Sequence, residues 1–318
     1  MSFLEVLVEV LKLFIIVIFG YVIGKKGLIT KDGQKQISSV LLYIAMPCAI
    51  IRGMQIPFSM DRFSVGVSII LIMAVTYFLT VCLSFVLIRF LPCEGKEKDV
   101  FQASMILPNV GYMGFAMIGQ LLGEDKVFFA TLASLSFEFM AWSVGMYLVA
   151  RNGDIDMKHN VIKKSIVNPG VLSVLAGFTL FLLQISIPEP LKGAVNSTGA
   201  MMSPLAMIII GISLSRAKIS EFIFNYKIYL VSLCKLILLP MAMFVLYSLI
   251  GLKDIQITVP IILISMPTAS YVTIFATNVG SDDVLASQVA SVCTILSMIT
   301  ILSMITIPFV VGFLKIGA

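Results

Sequence analysis

Charge is scarce in this chain. Only 12% of its 318 residues are Asp, Glu, Lys or Arg, while 59% are hydrophobic. A soluble domain carries about 25% charged residues, so a water-soluble globular fold is excluded. The net charge of +5 is spread over short loops between apolar runs. Basic residues placed that way orient a membrane protein and give no nucleic-acid surface. Histidine is nearly missing: His159 is the one instance and stands in a charged loop, which excludes a histidine metal site or catalytic triad. The five cysteines, Cys48, Cys82, Cys93, Cys234 and Cys293, form no CxxC pair, and all but Cys93 fall in apolar runs. They read as small packing residues, neither a disulfide framework nor a metal site. There is no phosphate loop, nucleotide fingerprint, zinc spacing or catalytic carboxylate pair, so no enzyme activity, cofactor or ATP-driven step is expected. The nineteen methionines are scattered and read as filler. Near the start, Glu5 and Lys12 interrupt the apolar run without a basic leader or cleavage site, which reads as a first span rather than a signal peptide.

What the chain has instead is long apolar runs. A helix needs about 20 apolar residues to cross a bilayer, and barrel strands would alternate polar with apolar. Ten spans are expected, at 3–23, 36–54, 63–91, 100–122, 126–150, 169–187, 195–214, 227–251, 257–279 and 285–314. The fold class is therefore all-α integral membrane. Counting Lys and Arg in alternate loops gives fourteen on one side and six on the other. The richer side is expected in the cytoplasm, which makes the chain a multi-pass protein of the cytoplasmic (plasma or inner) membrane with both termini outside.

Prolines and glycines recur in register. Gly20 precedes Pro47 by 27 residues, as Gly177 precedes Pro204; Pro47 precedes Pro108 by 61, and Pro204 precedes Pro267 by 63. One offset of 157 to 159 residues superimposes the halves. The division expected is 1–150 as a first five-helix repeat, 151–168 as a cytoplasmic connection and 169–318 as a second repeat. Five spans is an odd number, so the second repeat enters from the opposite face, as in many secondary transporters.

Two spans carry helix breakers at matching depth. Residues 105–123 include Pro108, Asn109, Gly111 and Gly114; residues 263–280 include Pro267, Thr268, Ser270 and Tyr271. Proline removes a helical hydrogen bond, and main chain freed in hydrocarbon must be satisfied by protein or a water-lined cavity. Broken helices four and nine are expected to cross, with their half-helix ends near the midplane. Positive half-helix N-termini favour an anion there. Asn109 has an amide suited to freed backbone or to a carboxylate, and Tyr112 and Tyr271 each follow their proline by four residues. Glu138, mid-way along the fifth span, is a costly carboxyl that invites a proton-carrying role. Lys235 in the eighth span is placed to pair with Glu138, to attract an anion or to snorkel to the cytoplasmic interface. Lys12 is a weaker candidate in the first span.

These residues resemble the auxin efflux carrier family, which includes PIN-type exporters and bacterial malate or malonate permeases. The likeness rests on Phe19-Gly20-Tyr21, Pro47, Pro108-Asn109 with Met113-Gly114, Leu122-Gly123-Glu124-Asp125, Asn168-Pro169, Met266-Pro267-Thr268-Ala269-Ser270 and Gly280-Ser281-Asp282-Asp283. The resemblance implies ten helices as two inverted five-helix repeats, with helices four and nine crossed at prolines matching Pro108 and Pro267. It implies a homodimer through helices one, two, six and seven, and a transport domain moving like an elevator. It also implies that Asn109 meets a substrate carboxylate. Where relatives place a glutamine four residues before a tryptophan, this chain has Glu138 and Trp142, and Phe115-Ala116 stands where many relatives have a proline. Those departures argue against auxin itself. The expected function is secondary transport of a small organic anion, a mono- or dicarboxylate, with a proton or sodium as coupling ion and the lipid bilayer as surroundings. The substrate-binding set is Pro108, Asn109, Gly111, Tyr112, Glu138, Pro267, Thr268, Ser270 and Tyr271, with Glu138 and Lys235 as coupling residues. Cation/proton exchange and a non-transporting receptor or scaffold are the alternatives.

Overall fold

The computed structural model describes residues 3–153, 169–216, 225–252 and 254–299. Of the connection expected at 151–168, residues 154–168 lie outside the described residues, as does the end of the tenth span. Within them every regular element is a helix, and the pairing of Pro108 with Thr268 is an isolated antiparallel bridge. Among the described residues five helices are long and apolar enough to cross a membrane. In chain order the helices are α1 (Phe3–Lys25), α2 (Asp32–Met54), α3 (Met60–Phe90), α4 (Gly95–Ile106), α5 (Phe115–Leu122) and α6 (Glu124–Ala150). Then come α7 (Pro169–Leu182), α8 (Leu191–Ile212, with the helix running on to Arg216), α9 (Tyr226–Ile250), α10 (Ile255–Ile264), α11 (Tyr271–Val279) and α12 (Asp283–Ile299).

These helices form two compact units, each drawn from both halves of the chain. The first holds Met1–Ile70, Gly111–Leu135 and Val167–Arg216. The second holds Leu71–Val110, Ser136–Ile166 and Ala217–Ala318. α3 and α6 each contribute residues to both.

In the first unit, backbones approach closely at glycines. Lipid tails are as apolar as leucine, so helices in a bilayer associate by close packing, and small residues allow it. A Cβ on Gly20 of α1 would fall 2.2 Å from the Ile208 carbonyl oxygen of α8, and one on Gly211 would fall 2.0 Å from that of Val17. α7 meets α2 the same way: a Cβ on Gly177 would lie 2.9 Å from Met54 Cγ and 3.6 Å from Ile51 Cα. The facing pairs are related. An offset of 157 residues converts Gly20 with Ile208 into Gly177 with Ile51. Phe58, Phe63, Phe128, Phe178 and Phe181 fill the rest of this face with rings 4.7–6.3 Å apart.

In the second unit the charged start of α4 is tied down. Asp99 is fully buried, accepting from Arg151 Nε at 3.0 Å and Asn152 Nδ2 at 2.7 Å. Lys227 Nζ holds Glu97 at 2.9 and 3.1 Å. Lys96 Nζ donates to the Gly280 carbonyl at 2.8 Å, a cation at the C-terminus of α11. Removing one partner of a buried pair strands the other. Arg151→Ala should destabilise the protein by about 3 kcal/mol, the low end for such pairs, because Arg151 is partly exposed and Asn152 remains. Melting in detergent reads this, and adding Asp99→Asn should recover part of the loss. A single variant as stable as wild type would show the pair to be idle.

Candidate functional site

The second unit builds the site from two interruptions. α4 stops at Ile106 because the residue before a proline is driven from the helical region; Leu107 is extended, at φ −103° and ψ 94°. α10 stops at Ile264, and α11 starts only at Tyr271, with Ser270 as its N-cap residue. The main chain freed by each break is satisfied by the other. Asn109 N–H donates to the Pro267 carbonyl at 2.8 Å, and Ala269 N–H donates to the Leu107 carbonyl at 2.9 Å. Thr268 Oγ1 donates to the Ser104 carbonyl in the last turn of α4 at 3.0 Å. Asn109 and Thr268 are 5% and 2% exposed. This exchange answers the requirement that buried main chain be paired.

One turn after Pro267, Tyr271 donates its phenol to Glu138 of α6, at 3.0 Å to Oε1 and 3.3 Å to Oε2. Glu138 is 5% exposed. Trp142, on the next turn, approaches the same carboxyl without a well-formed hydrogen bond from its indole N–H. Tyr271 packs edge-on with Phe137, Trp142 and Phe275 at 5.5–6.3 Å between ring centres. Removing the phenol leaves a buried acceptor unsatisfied, which costs about 1–3 kcal/mol, so Tyr271→Phe should lower stability by about that much. Detergent melting of the variant checks it, and an unchanged melting temperature would show the bond to be weak.

The structure thus brings Pro108, Asn109, Pro267 and Thr268 together and links them through α11 to Ser270, Tyr271 and Glu138. Gly111 and Tyr112 fall in the π-helical turn Val110–Gly114 and are counted in the first unit; the Tyr112 side chain lies outside the described residues. Lys235 is fully buried near Cys293, and its ammonium has no hydrogen-bond partner among the described residues. It neither snorkels to an interface nor pairs with Glu138. Lys12 is exposed. Sequence reasoning missed three features: the aromatic cluster, the Tyr271–Glu138 bond and the π-helical turns. Those turns fall at Leu41–Ala45 in α2, at Val110–Gly114, at Ala141–Gly145 around Trp142 and at Cys234–Leu238 around Lys235. Such bulges are frequent at functional sites.

Interrupted helices whose freed main chain is satisfied within the protein recur in membrane transporters. The family model described as "Membrane transport protein" matches residues 5–305, and the chain belongs to this family, the auxin efflux carriers. It is 26% identical over 297 residues to an uncharacterized transporter of Methanocaldococcus jannaschii, covering 91% of this chain and 94% of that protein. It is 23% identical over 246 residues to the uncharacterized transporter YfdV of Escherichia coli, covering 74% and 76%. It is also 26% identical over 195 residues to a protein of Rhizobium meliloti named "Putative malonate transporter", covering 59% and 60%.

Proposed function

We propose that this protein is a secondary active transporter of small organic anions, mono- or dicarboxylates, working by elevator-type alternating access. The observation that carries the reading is the reciprocal pairing of residues 107–109 with 267–269 inside the membrane-embedded second unit. It leaves the N-terminal end of α11 and the Asn109 amide beside a satisfied, irregular backbone, which suits a carboxylate. A malonate transporter's name among the relatives supports the same class of solute. The ten-helix inverted repeat, with repeats at 1–150 and 169–318, is supported by the facing pairs Gly20–Ile208 and Gly177–Ile51. The site would comprise Pro108, Asn109, Gly111, Tyr112, Glu138, Pro267, Thr268, Ser270 and Tyr271. Coupling to a proton or sodium gradient would run through Glu138 or Lys235, both buried. The protein would sit in the cytoplasmic membrane with both termini outside, as a dimer through its first, second, sixth and seventh spans.

Purified protein in liposomes tests the reading. Labelled malonate, malate and simple monocarboxylates should accumulate inside when a proton or sodium gradient is imposed, and should not when it is collapsed. Sodium or proton flux without movement of any carboxylate would replace this reading by cation exchange.

A further inference from the structure

Lys235 stands in the π-helical turn Cys234–Leu238 of α9 and is fully buried. Among the described residues its side-chain nitrogen forms no hydrogen bond and no ion pair. A buried ammonium left unmatched is strongly destabilising. A neutral amine fares little better, because its N–H groups would still lack acceptors.

A second unused donor lies beside it. Ser232 comes three residues earlier, on the same side of the helix, and is also 0% exposed. Its hydroxyl approaches the Cys293 thiol of α12 without a well-formed hydrogen bond, and among the described residues it has no other partner. α9 packs here against α4 and α12. Cys293 also meets Thr268 of the crossing, whose own hydroxyl is already donated to the Ser104 carbonyl at 3.0 Å.

The chemistry of the cluster is that of an anion host. An ammonium and a hydroxyl donate, and the titratable neighbour of Lys235 is the Cys293 thiol, not a carboxylate. Ser232, Lys235 and Cys293 are each 0% exposed. The apolar groove along α9, lined by Leu230, Leu233 and Leu296 among others, includes none of them. A cluster so enclosed suits one small ion and not an organic acid.

We infer that Lys235 and Ser232 hold a small monovalent anion, chloride in the cell, beside the crossing. It is a resident ion, distinct from the transported solute. Ion and ammonium together carry no net charge, which lets a lysine stand at membrane depth, where a bare charge is costly. The inference does not depend on the reading of the crossed breaks as a carboxylate site.

The test is the melting temperature of the purified full chain, moved into gluconate buffer and titrated with chloride or bromide at constant ionic strength. Both halides should raise it by several degrees along a saturating curve, as a ligand of the folded form does. Lys235→Met should abolish the rise. Ser232→Ala should keep it but shift its midpoint about tenfold to higher halide, the loss of one hydrogen bond to a charged group. The second variant serves on its own if the first does not fold. No saturating rise in the wild type would overturn the inference, as would a curve that both variants leave unchanged. A rise given by malonate or acetate but not by halide, and lost in Lys235→Met, would also overturn it and would give Lys235 to an organic acid instead.

Discussion

Asn109→Ala is expected to cut carboxylate uptake into liposomes by ten- to about a hundredfold while leaving the protein folded. The two halves of that statement come from two parts of one residue. The main-chain N–H of Asn109 donates to the Pro267 carbonyl at 2.8 Å, and alanine keeps that bond. The amide side chain is what the variant removes. A hydrogen bond to a charged group contributes about 1.5–3 kcal/mol, and each 1.4 kcal/mol is a factor of ten. Melting temperature and uptake should therefore separate: the first within a few degrees of wild type, the second nearly lost. Wild-type uptake would remove the amide from the site. Lost folding would show that the side chain, and not only the backbone, holds the two interruptions together.

Gly211→Val should leave little folded protein. Its new Cβ would fall 2.0 Å from the Val17 carbonyl oxygen and 2.6 Å from the Tyr21 nitrogen, both backbone atoms of α1. Main chain cannot swing aside as a side chain does, so α1 and α8 must separate and their packing is lost. Overpacking costs typically 1–3 kcal/mol where side chains can adjust, and more is expected here. Gly53→Ala is the matching control, since its Cβ would meet its nearest atoms at an ordinary 3.5 Å. Size-exclusion profiles in detergent should show Gly53→Ala as a single species and Gly211→Val as aggregate. A monodisperse Gly211→Val would mean that the α1–α8 contact is looser than the structure has it.

The elements themselves were largely legible in the sequence. The third span, expected at 63–91, is Met60–Phe90, and the eighth, expected at 227–251, is Tyr226–Ile250. The breaks at Pro108 and Pro267 were legible because proline acts on its own turn and on the residue before it. Partners were harder. Tyr271 was readable as a member of the binding set, but not as the donor to Glu138, 133 residues away. Lys235 could be given an interface or a partner on paper, yet it is fully buried, and among the described residues its ammonium has no hydrogen-bond partner. A helix that is apolar all round gives no stripe to say which face turns inward, so contacts across such helices leave no pattern to read. The interleaving of the two units was hidden for the same reason.

The exchange between residues 107–109 and 267–269 has a consequence for how the molecule comes into being. Roughly 160 residues separate the two strands of that exchange, so the ribosome delivers the first long before the second. Until then the Leu107 carbonyl and the Asn109 N–H have no mate in the nascent chain and need water or the insertion machinery to shelter them. This crossing is thus among the last parts to close, and a chain arrested in its first half would carry an open seam in the bilayer.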